Sequence, residues 1–192
     1  TSMLTRIDLF RMIENINGSI VECGTHRCNS TFLYYHLSSI IEPYNYNRKI
    51  IAHKIKKKNP NFKWATLIHP SCTISKFSKI SEGSVVVAGT IINNHTNIGK
   101  HCLINTRSSI DHDNIFDDYT SCGPGVVTGG NVKIGNCTHI GIGSTIKHGI
   151  DIGENTLIGG HSYVNKNCES NSIYYGVPVK KIKKRKNSSN YF

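Results

Sequence analysis

Three ionisable side chains, Asp111, His112 and Asp113, lie next to one another in the stretch INTRSSIDHDNI (104–115). An imidazole titrates near neutral pH and can take a proton from an attacking nucleophile, while a neighbouring carboxylate can orient the ring and stabilise its charged form. The same three residues would equally suit a solvated polar turn. Which interpretation holds depends on the elements that carry the cluster.

A six-residue period runs through the chain around this cluster. Every sixth residue from 68 to 164 gives seventeen positions, of which fifteen are Ile, Val or Phe: Ile68, Ile74, Ile80, Val86, Ile92, Ile98, Ile104, Ile110, Phe116, Cys122, Thr128, Ile134, Ile140, Ile146, Ile152, Ile158 and Val164. A helix would need spacings of three and four, and a simple strand a spacing of two. A period of six is typical of a parallel β-helix with three hexads per triangular coil. Seventeen hexads predict nearly six coils.

The period also predicts where individual side chains point. We expect the aliphatic residue of each hexad to face inward and to stack on its equivalents 18 residues away. The residue four positions later is mostly small and should fill a corner, as at Cys72, Ser78, Ser84, Thr90, Thr96, Cys102, Ser108, Thr138, Ser144, Thr156, Ser162 and Cys168. Glycines should suit the unusual backbone angles of the corners, among them Gly99, Gly135, Gly141, Gly153 and Gly159. The same register predicts that Gly130 stacks one coil after His112.

The flanking segments do not share the period, and three units follow: a small α/β unit (3–63), the β-helix (64–170), and a C-terminal turn, basic segment and linker (171–192). The fold class is therefore mainly β. In the first unit, NRKIIAHKIKKKN (47–59) predicts an amphipathic helix that ends near Asn59-Pro60. GSIVEC (18–23) predicts a strand, and part of STFLYYHLSSII (30–41) a strand or a helix.

Composition narrows the classes of partner. The net charge of +11 comes largely from two lysine clusters, 54–58 and 180–186, which lack interleaved aromatic residues. We therefore expect them to be solvated or to attract phosphates of a nucleotide or coenzyme, and nucleic-acid binding is disfavoured. No apolar run is long enough for a bilayer. Seven cysteines without a C-x-x-C pair predict free thiols and no metal site. We expect a cytoplasmic protein, of a bacterium or of a virus-infected host cell.

Four stretches together narrow the fold to a family: FKWATLIHPSCTIS (62–75), GKHCLINTRSSIDHD (99–113), GGNVKIGNCTHIGIGSTI (129–146) and YGVPVKKI (175–182). From about residue 44 to 182 the chain resembles the sugar acetyltransferases of the NeuD/PglD type. The resemblance implies a left-handed β-helix, a homotrimer, acetyl-CoA as co-substrate and a nucleotide-linked amino sugar as acceptor. It points most closely to N-acetyltransferases acting on sugars such as UDP-4-amino-4,6-dideoxyglucose.

The resemblance also assigns roles to residues. It implies that His112 is the general base, that Asp113 orients it, and that the Gly130 N–H stabilises the oxyanion. Asn105 and Ser121 occupy positions that contact the substrate, although the family often has a histidine where this chain has Ser121. The coenzyme would lie in the groove between adjacent β-helices, along Gly130, Gly141, Ile142, Gly143 and His148, with its phosphates near Lys180 and Lys181.

Other functions stay open at this stage. The Gly-rich N-terminal loop with which the family usually binds a nucleotide sugar is missing here, so the nucleotide pocket is reduced or built differently. A sugar O-acetyltransferase of the sialic-acid type has the same fold. A metalloenzyme resembling γ-carbonic anhydrase would need three zinc-binding histidines, but His112, His139 and His148 lack a His-x4-His pair. A non-catalytic basic solenoid that binds nucleic acid or a protein is the alternative of another class.

Overall fold

The computed structural model of the chain describes residues 45–186, which form one helix, α1, and nineteen strands. The predicted strands in 18–23 and 30–41, and the linker at 187–192, lie outside the described residues. The elements are α1 (Asn45–Lys58), β1 (Leu67–Ile68), β2 (Thr73–Ile74), β3 (Lys79–Ile80), β4 (Val85–Val86), β5 (Ile91–Ile92), β6 (Asn97–Ile98), β7 (Leu103–Ile104), β8 (Ser109–Ile110), β9 (Ile115–Phe116), β10 (Ser121–Cys122), β11 (Val127–Thr128), β12 (Lys133–Ile134), β13 (His139–Ile140), β14 (Thr145–Ile146), β15 (Asp151–Ile152), β16 (Leu157–Ile158), β17 (Tyr163–Val164), β18 (Ser172–Tyr175) and β19 (Lys180–Lys184).

Strands β1 to β17 build a parallel β-helix, as the hexad period predicts. Each strand pairs in parallel with the strand three places later, for example Ile104 with Cys122 and Cys122 with Ile140, a register of 18 residues. Three sheets result. Sheet A has the order β1-β4-β7-β10-β13-β16-β18-β19, sheet B runs from β2 to β17 and sheet C from β3 to β15. Seventeen short strands at three per coil make nearly six coils.

The core is a single column of inward side chains. From Val86 to Val164 every predicted inward residue is buried, including Thr128 and Cys122, which replace aliphatic residues in the middle of the column. Ile68 is 39 % exposed because it begins the first coil and has no coil beneath it. The inward prediction is therefore confirmed for all coils that have a neighbour on each side.

The small corner residues from Ser84 onward are buried as predicted, whereas Cys72 and Ser78 in the first coil are partly buried, and these residues also hold successive coils together. The hydroxyl of Ser84 donates to the carbonyl of Gly99 at 2.7 Å and accepts from the N–H of Cys102 at 2.9 Å. Thr138 makes the equivalent pair of bonds, to the Gly153 carbonyl and from the Thr156 N–H. A small side chain with a hydroxyl group thus satisfies buried backbone groups of the next coil. A larger side chain would not fit between the coils.

The predicted role of the corner glycines is wrong. The left-handed position of each corner is held by other residues, such as His95 (φ 59°), Asp113 (φ 57°) and Gly143 (φ 64°). The glycines named from the sequence follow the inward residue instead, where successive coils approach most closely. A Cβ on Gly135 would stand 2.5 Å from the main-chain N of Glu154 in the next coil. Steric access, and not backbone freedom, selects glycine there.

Helix α1 matches the predicted segment, and its buried face carries polar as well as apolar residues. Ile50 is 37 % exposed, whereas Asn45, Arg48 and Ala52 are buried. The Arg48 guanidinium donates to the carbonyls of His101, Tyr119 and Thr120 at 2.8 to 3.1 Å. The helix is therefore fastened to the corner between sheets C and A by a polar anchor, which an apolar periodicity does not reveal. It ends before Asn59-Pro60, as predicted.

The C-terminal basic segment forms a strand. β19 pairs antiparallel with β18 and closes sheet A as an exposed edge, with Lys180 opposite Tyr175. All five cysteines in the described part of the chain are free, and four of them are buried. No helix among residues 45–186 is long and apolar enough to cross a membrane.

Candidate active site

His112 and Asp113 form a hydrogen-bonded pair on an exposed corner of the β-helix. The turn that carries them joins β8 of sheet B to β9 of sheet C and is called here the B–C corner. The imidazole Nδ1 lies 2.7 Å from Oδ2 of Asp113, and both side chains are about half exposed, at 47 % and 45 %. The contact fixes the ring and leaves Nε2 as the nitrogen that can exchange a proton with a bound molecule.

The carboxylates of the corner raise the pKa of His112 above its ordinary value. The largest cause is the hydrogen bond to Asp113; partial burial opposes it, and the charges of Asp111 and Asp113 add to it. A negative partner stabilises the imidazolium, so the ring holds a transferred proton more firmly than a free imidazole does. The site is built to accept a proton.

Asp111 supports the turn from the other side. Its Oδ1 accepts from the backbone N–H of His112 at 2.8 Å and from Nδ2 of Asn93 at 3.1 Å. These bonds direct the Asp111 carboxylate toward the main chain and not toward the imidazole ring. Asp111 therefore holds the backbone beneath His112, while Asp113 holds the ring.

Gly130 lies one coil after His112 and directly against its ring. A Cβ on Gly130 would stand 2.5 Å from Cε1 and 2.7 Å from Nε2 of His112. The Gly130 carbonyl accepts from the N–H of Gly149, but the Gly130 N–H donates to no group within residues 45–186. His148 follows one coil further, with its ring centroid 6.3 Å from that of His112. A backbone donor and two imidazoles thus share the B–C corner.

A groove runs along the neighbouring corner, between sheets A and B, and is called here the A–B groove. It encloses about 710 Å³. Six of its residues lie 18 apart, so the groove follows the helix axis: Ser71, Gly89, Arg107, Gly125, Gly143 and His161. Sequence reasoning named Gly143 but missed Arg107 and Gly125. The 18-residue column through Gly143 would have identified both.

The residues assigned to the coenzyme from the sequence divide between two corners. Gly141, Ile142 and Gly143 lie in the turn between β13 and β14, and Ile142 and Gly143 line the A–B groove. Asn105 follows β7 and lies at the same corner. His148 and Gly130 lie at the B–C corner. One chain does not bring the two groups together, because the whole width of sheet B separates them.

Lys180 and Lys181 lie beyond the last coil, on the edge strand of sheet A. Lys180 pairs with Tyr175, whose ring covers Gly159 at the C-terminal end of the A–B corner. Lys181 forms an exposed ion pair with Glu169. Lys180 therefore lies near the end of the A–B groove, whereas the Lys181 ammonium is directed to Glu169, which follows the sheet C residue Cys168.

Ser121 is buried beneath α1, away from both corners. Its hydroxyl donates to Oδ1 of Asn45 at 2.8 Å and lies 2.7 Å from Nδ1 of His139. Burial, together with the charges of Arg185 and Arg48, lowers the pKa of His139 to about 3. The sequence contained no signal for this buried cluster, because a helix from outside the repeat creates it.

No group of three or more His, Cys, Asp or Glu side chains that could hold a metal ion occurs in the described part of the chain. The cluster of three histidines that the metalloenzyme alternative requires is therefore not formed there by His112, His139 and His148. His112 and His148 share the B–C corner, whereas His139 is buried under α1.

Comparison with known proteins matches the repeat. Residues 131–166 match the family model for the bacterial transferase hexapeptide, with six repeats. GDP-perosamine N-acetyltransferase of Escherichia coli O157:H7 is 31 % identical over 85 residues, 44 % of this chain and 38 % of that protein. Chloramphenicol acetyltransferase of Klebsiella aerogenes is 46 % identical over 56 residues, 29 % of this chain and 27 % of that protein. The chain thus spans less than two fifths of these relatives.

Solved structures match over a longer stretch. PerB from Caulobacter crescentus, in complex with CoA and GDP-perosamine, superposes with a TM-score of 0.68 at 29 % identity, covering 72 % of this chain and 67 % of that one. The acetyltransferase domain of PglB from Neisseria gonorrhoeae, in complex with acetyl coenzyme A, gives 0.69 at 26 % identity and the same coverage. The predicted resemblance to left-handed β-helix sugar acetyltransferases is confirmed in repeat and in fold.

Proposed function

We propose that this chain is an acetyl-CoA-dependent N-acetyltransferase that acts on the 4-amino group of a nucleotide-linked amino-dideoxy sugar. The observation that carries the proposal is the His112–Asp113 pair packed against the main chain of Gly130. The similarity to a GDP-perosamine N-acetyltransferase and to PerB supports an amino sugar as acceptor. UDP-4-amino-4,6-dideoxyglucose is a further candidate of the same chemical class.

In the proposed reaction, His112 acts as the general base. The neutral amine nitrogen attacks the thioester carbonyl, a C–N bond forms, the C–S bond breaks, and the departing CoA thiolate becomes the thiol by taking a proton that His112 accepted from the nitrogen. His112 takes the proton that the nitrogen loses through Nε2, because Nδ1 is held by Asp113. A sugar amine is largely protonated at neutral pH, so an imidazole with a raised pKa suits this transfer.

Gly130 provides the electrostatic part of the proposed site. Negative charge develops on the thioester oxygen as the nitrogen attacks, and a backbone N–H that is free of other acceptors can stabilise it. The Gly130 N–H makes no such bond within residues 45–186 and lies beside the His112 ring. Base and donor therefore face the same small space, as acyl transfer requires.

The A–B groove fits the long arm of the co-substrate acetyl-CoA, which supplies the activated acetyl group. It runs parallel to the axis over six residues of one column, which are five coil steps apart, or roughly 24 Å at about 4.8 Å per coil. Ile142, half exposed, and the open backbone of Gly125 offer an apolar, unobstructed stretch of wall, while the His161 ring covers Gly143. Lys180, opposite Tyr175 at its C-terminal end, suits the phosphates, and Lys181 would first have to leave Glu169.

The separation of the two corners supports a site shared between chains, and we propose a homotrimer. A coenzyme in the A–B groove of one chain reaches a His112 only if the B–C corner of a second chain lies opposite. The outer face of sheet B presents Ile91 and Val127, and that of sheet C presents Ile115, each at least 40 % exposed in the single chain. Exposed apolar residues on flat sheets suit contact between copies.

A mixed-subunit experiment tests this arrangement. One chain carries His112→Ala and a second carries Ile142→Trp, which blocks the groove. Each variant alone has low activity, and mixing after dissociation restores part of it if every site combines two chains. No recovery in mixtures that are shown to exchange subunits would contradict a shared site without affecting the assignment of His112.

The proposed activity is tested by thiol release from acetyl-CoA with a panel of UDP-, GDP- and dTDP-linked amino sugars. We expect turnover with at least one 4-amino sugar and a lower rate with the matching 4-hydroxy sugar. The reverse preference would favour the O-acetyltransferase. A lack of turnover with every acceptor would overturn the proposal and favour the non-catalytic solenoid.

A further inference from the structure

An exposed aromatic pair lies on the B–C corner, on the N-terminal side of His112. Phe77 is 56 % exposed, and its ring stacks on that of His95, with centroids 5.7 Å apart and planes 26° apart. Phe77, His95 and Asp113 occupy the same corner position in successive coils, because they are 18 residues apart. A large ring in this position has no core to fill, so packing does not explain it.

The same end of the corner is basic. The ammonium of Lys76 lies 5.1 Å from the centroid of the Phe77 ring. The first coil, residues 64–81, contains Lys76 and Lys79 and no aspartate or glutamate. An aromatic surface next to lysines that form no ion pair within residues 45–186 has the chemistry that a nucleotide needs, a stacking face for the base and cations for the phosphates.

The distance between Phe77 and His112 agrees with nucleotide binding at Phe77. Phe77 lies two coils before Asp113, which is about 10 Å along the axis. Asn94 lies between them, in the coil directly before His112, with its Oδ1 bonded to the Ser75 hydroxyl. A sugar whose amine reaches His112 therefore extends its diphosphate past Asn94 toward Lys76 and its base toward Phe77.

We propose that the Phe77–His95 pair and Lys76 form the subsite for the nucleoside diphosphate of the acceptor. This inference rests on the proposed function for the orientation of the sugar. It assigns the nucleotide to the first coils of the β-helix in a chain whose N-terminal segment lacks a Gly-rich nucleotide loop. Coenzyme and nucleotide then lie on opposite sides of His112 along the axis.

Binding of UDP, GDP and dTDP to the full chain, measured by titration calorimetry without acetyl-CoA, tests the subsite. We expect at least one of the three to bind. Phe77→Leu should weaken that binding about tenfold, because it keeps an apolar side chain but removes the ring, whereas Phe77→Trp should stay within about twofold. Lys76→Met should weaken binding and flatten its salt dependence, and Lys133→Met, an exposed lysine several coils away, should leave it unchanged.

Two results would overturn the subsite: binding of none of the diphosphates to the wild-type chain, or equal binding by wild type and Phe77→Leu. Because the titration uses no acetyl-CoA, it is independent of catalysis. Turnover of an amino sugar with unaltered KM in Phe77→Leu would reject the subsite and keep the acetyltransferase. Loss of diphosphate binding in Phe77→Leu, without turnover by the wild type, would keep the subsite and reject the acetyltransferase.

Discussion

The His112 imidazole packs against Gly130, the residue exactly one coil later, so closely that a Cβ on Gly130 would stand 2.5 Å from the ring. The position of the proposed base therefore depends on the absence of a side chain at residue 130. The 18-residue register brings the imidazole of His112 and the backbone N–H of Gly130 close together.

Substituting Gly130 with alanine should displace the ring without unfolding the coil, because the contact is with a side chain and not with the main chain of a neighbouring coil. Misplacement of a catalytic group by about 1 Å can cost about 100-fold in rate, and we expect a loss of at least tenfold in kcat/KM. Gly129→Ala is the matched control. Its Cβ would meet the main-chain N of His148 at 2.7 Å, so thermal unfolding should show lower stability there. Full activity in Gly130→Ala would contradict the proposed geometry.

Removing the imidazole should abolish most of the activity. General-base assistance contributes about 10² to 10⁴ in rate, so His112→Ala should lower kcat by that range. His148→Ala changes a neighbouring imidazole that we assign to the coenzyme, and it should raise the KM for acetyl-CoA more than it lowers kcat. Steady-state kinetics of both variants separate the roles, and equal loss of kcat in both would show that they do not differ.

The pH dependence of kcat/KM should follow the Asp113 carboxylate. The pKa of His112 is raised chiefly by this hydrogen bond, and a base acts when unprotonated, so the rate should rise with pH through a pKa above 6.5. Asp113→Asn should move that limb to lower pH, because the charged partner that raises the pKa of His112 is removed. The turn itself should be kept, because asparagine also tolerates the left-handed backbone of this residue. Asp111→Asn, which removes a charge that is not hydrogen-bonded to the ring, should shift the limb less. An unchanged limb in Asp113→Asn would remove its assigned role.

Acid should destabilise the fold through His139. Its pKa in the folded chain, about 3, lies below the unfolded value of 6.5, so protons bind preferentially to the unfolded chain between these values. The stabilisation is complete above pH 6.5 and falls as the pH drops toward 3, by about 1 kcal/mol per pH unit. Chemical denaturation at pH 7.5 and 5.0 measures the free energy of unfolding at each pH. The difference between the two values should be smaller for His139→Gln than for wild type. Equal differences would mean that His139 titrates normally.

Replacing Arg48 should release α1 from the β-helix. Arg48→Leu removes the guanidinium from three buried carbonyls, of which the Thr120 carbonyl keeps the N–H of Leu103, and each group left unsatisfied costs about 1 to 3 kcal/mol. We expect a loss of about 3 kcal/mol or more, and faster proteolytic cleavage between residues 45 and 60. Lys54→Leu, on the exposed face of the same helix, should cleave at the wild-type rate.

The hexad period alone determined the coil, the core column and the register that places Gly130 beside His112. A repeat of this kind states which residues share a column, because inward positions are filled by stacking on residues 18 away. The prediction for the inward residues was therefore reliable even at Cys122 and Thr128, where the aliphatic pattern breaks.

The tertiary structure decided what covers each outer face, and the repeat carries no information on that. The outward position of a hexad accepts almost any residue, so Ser121 was open to assignment as a substrate contact, whereas α1 buries it with Asn45 and His139. The same holds for the glycines, whose role depends on how closely the next coil approaches, and for the division of Gly141 and Gly130 between two corners. The spacing along the chain determines which residues stack in one column. Which outer faces are buried depends on the segments that pack against them.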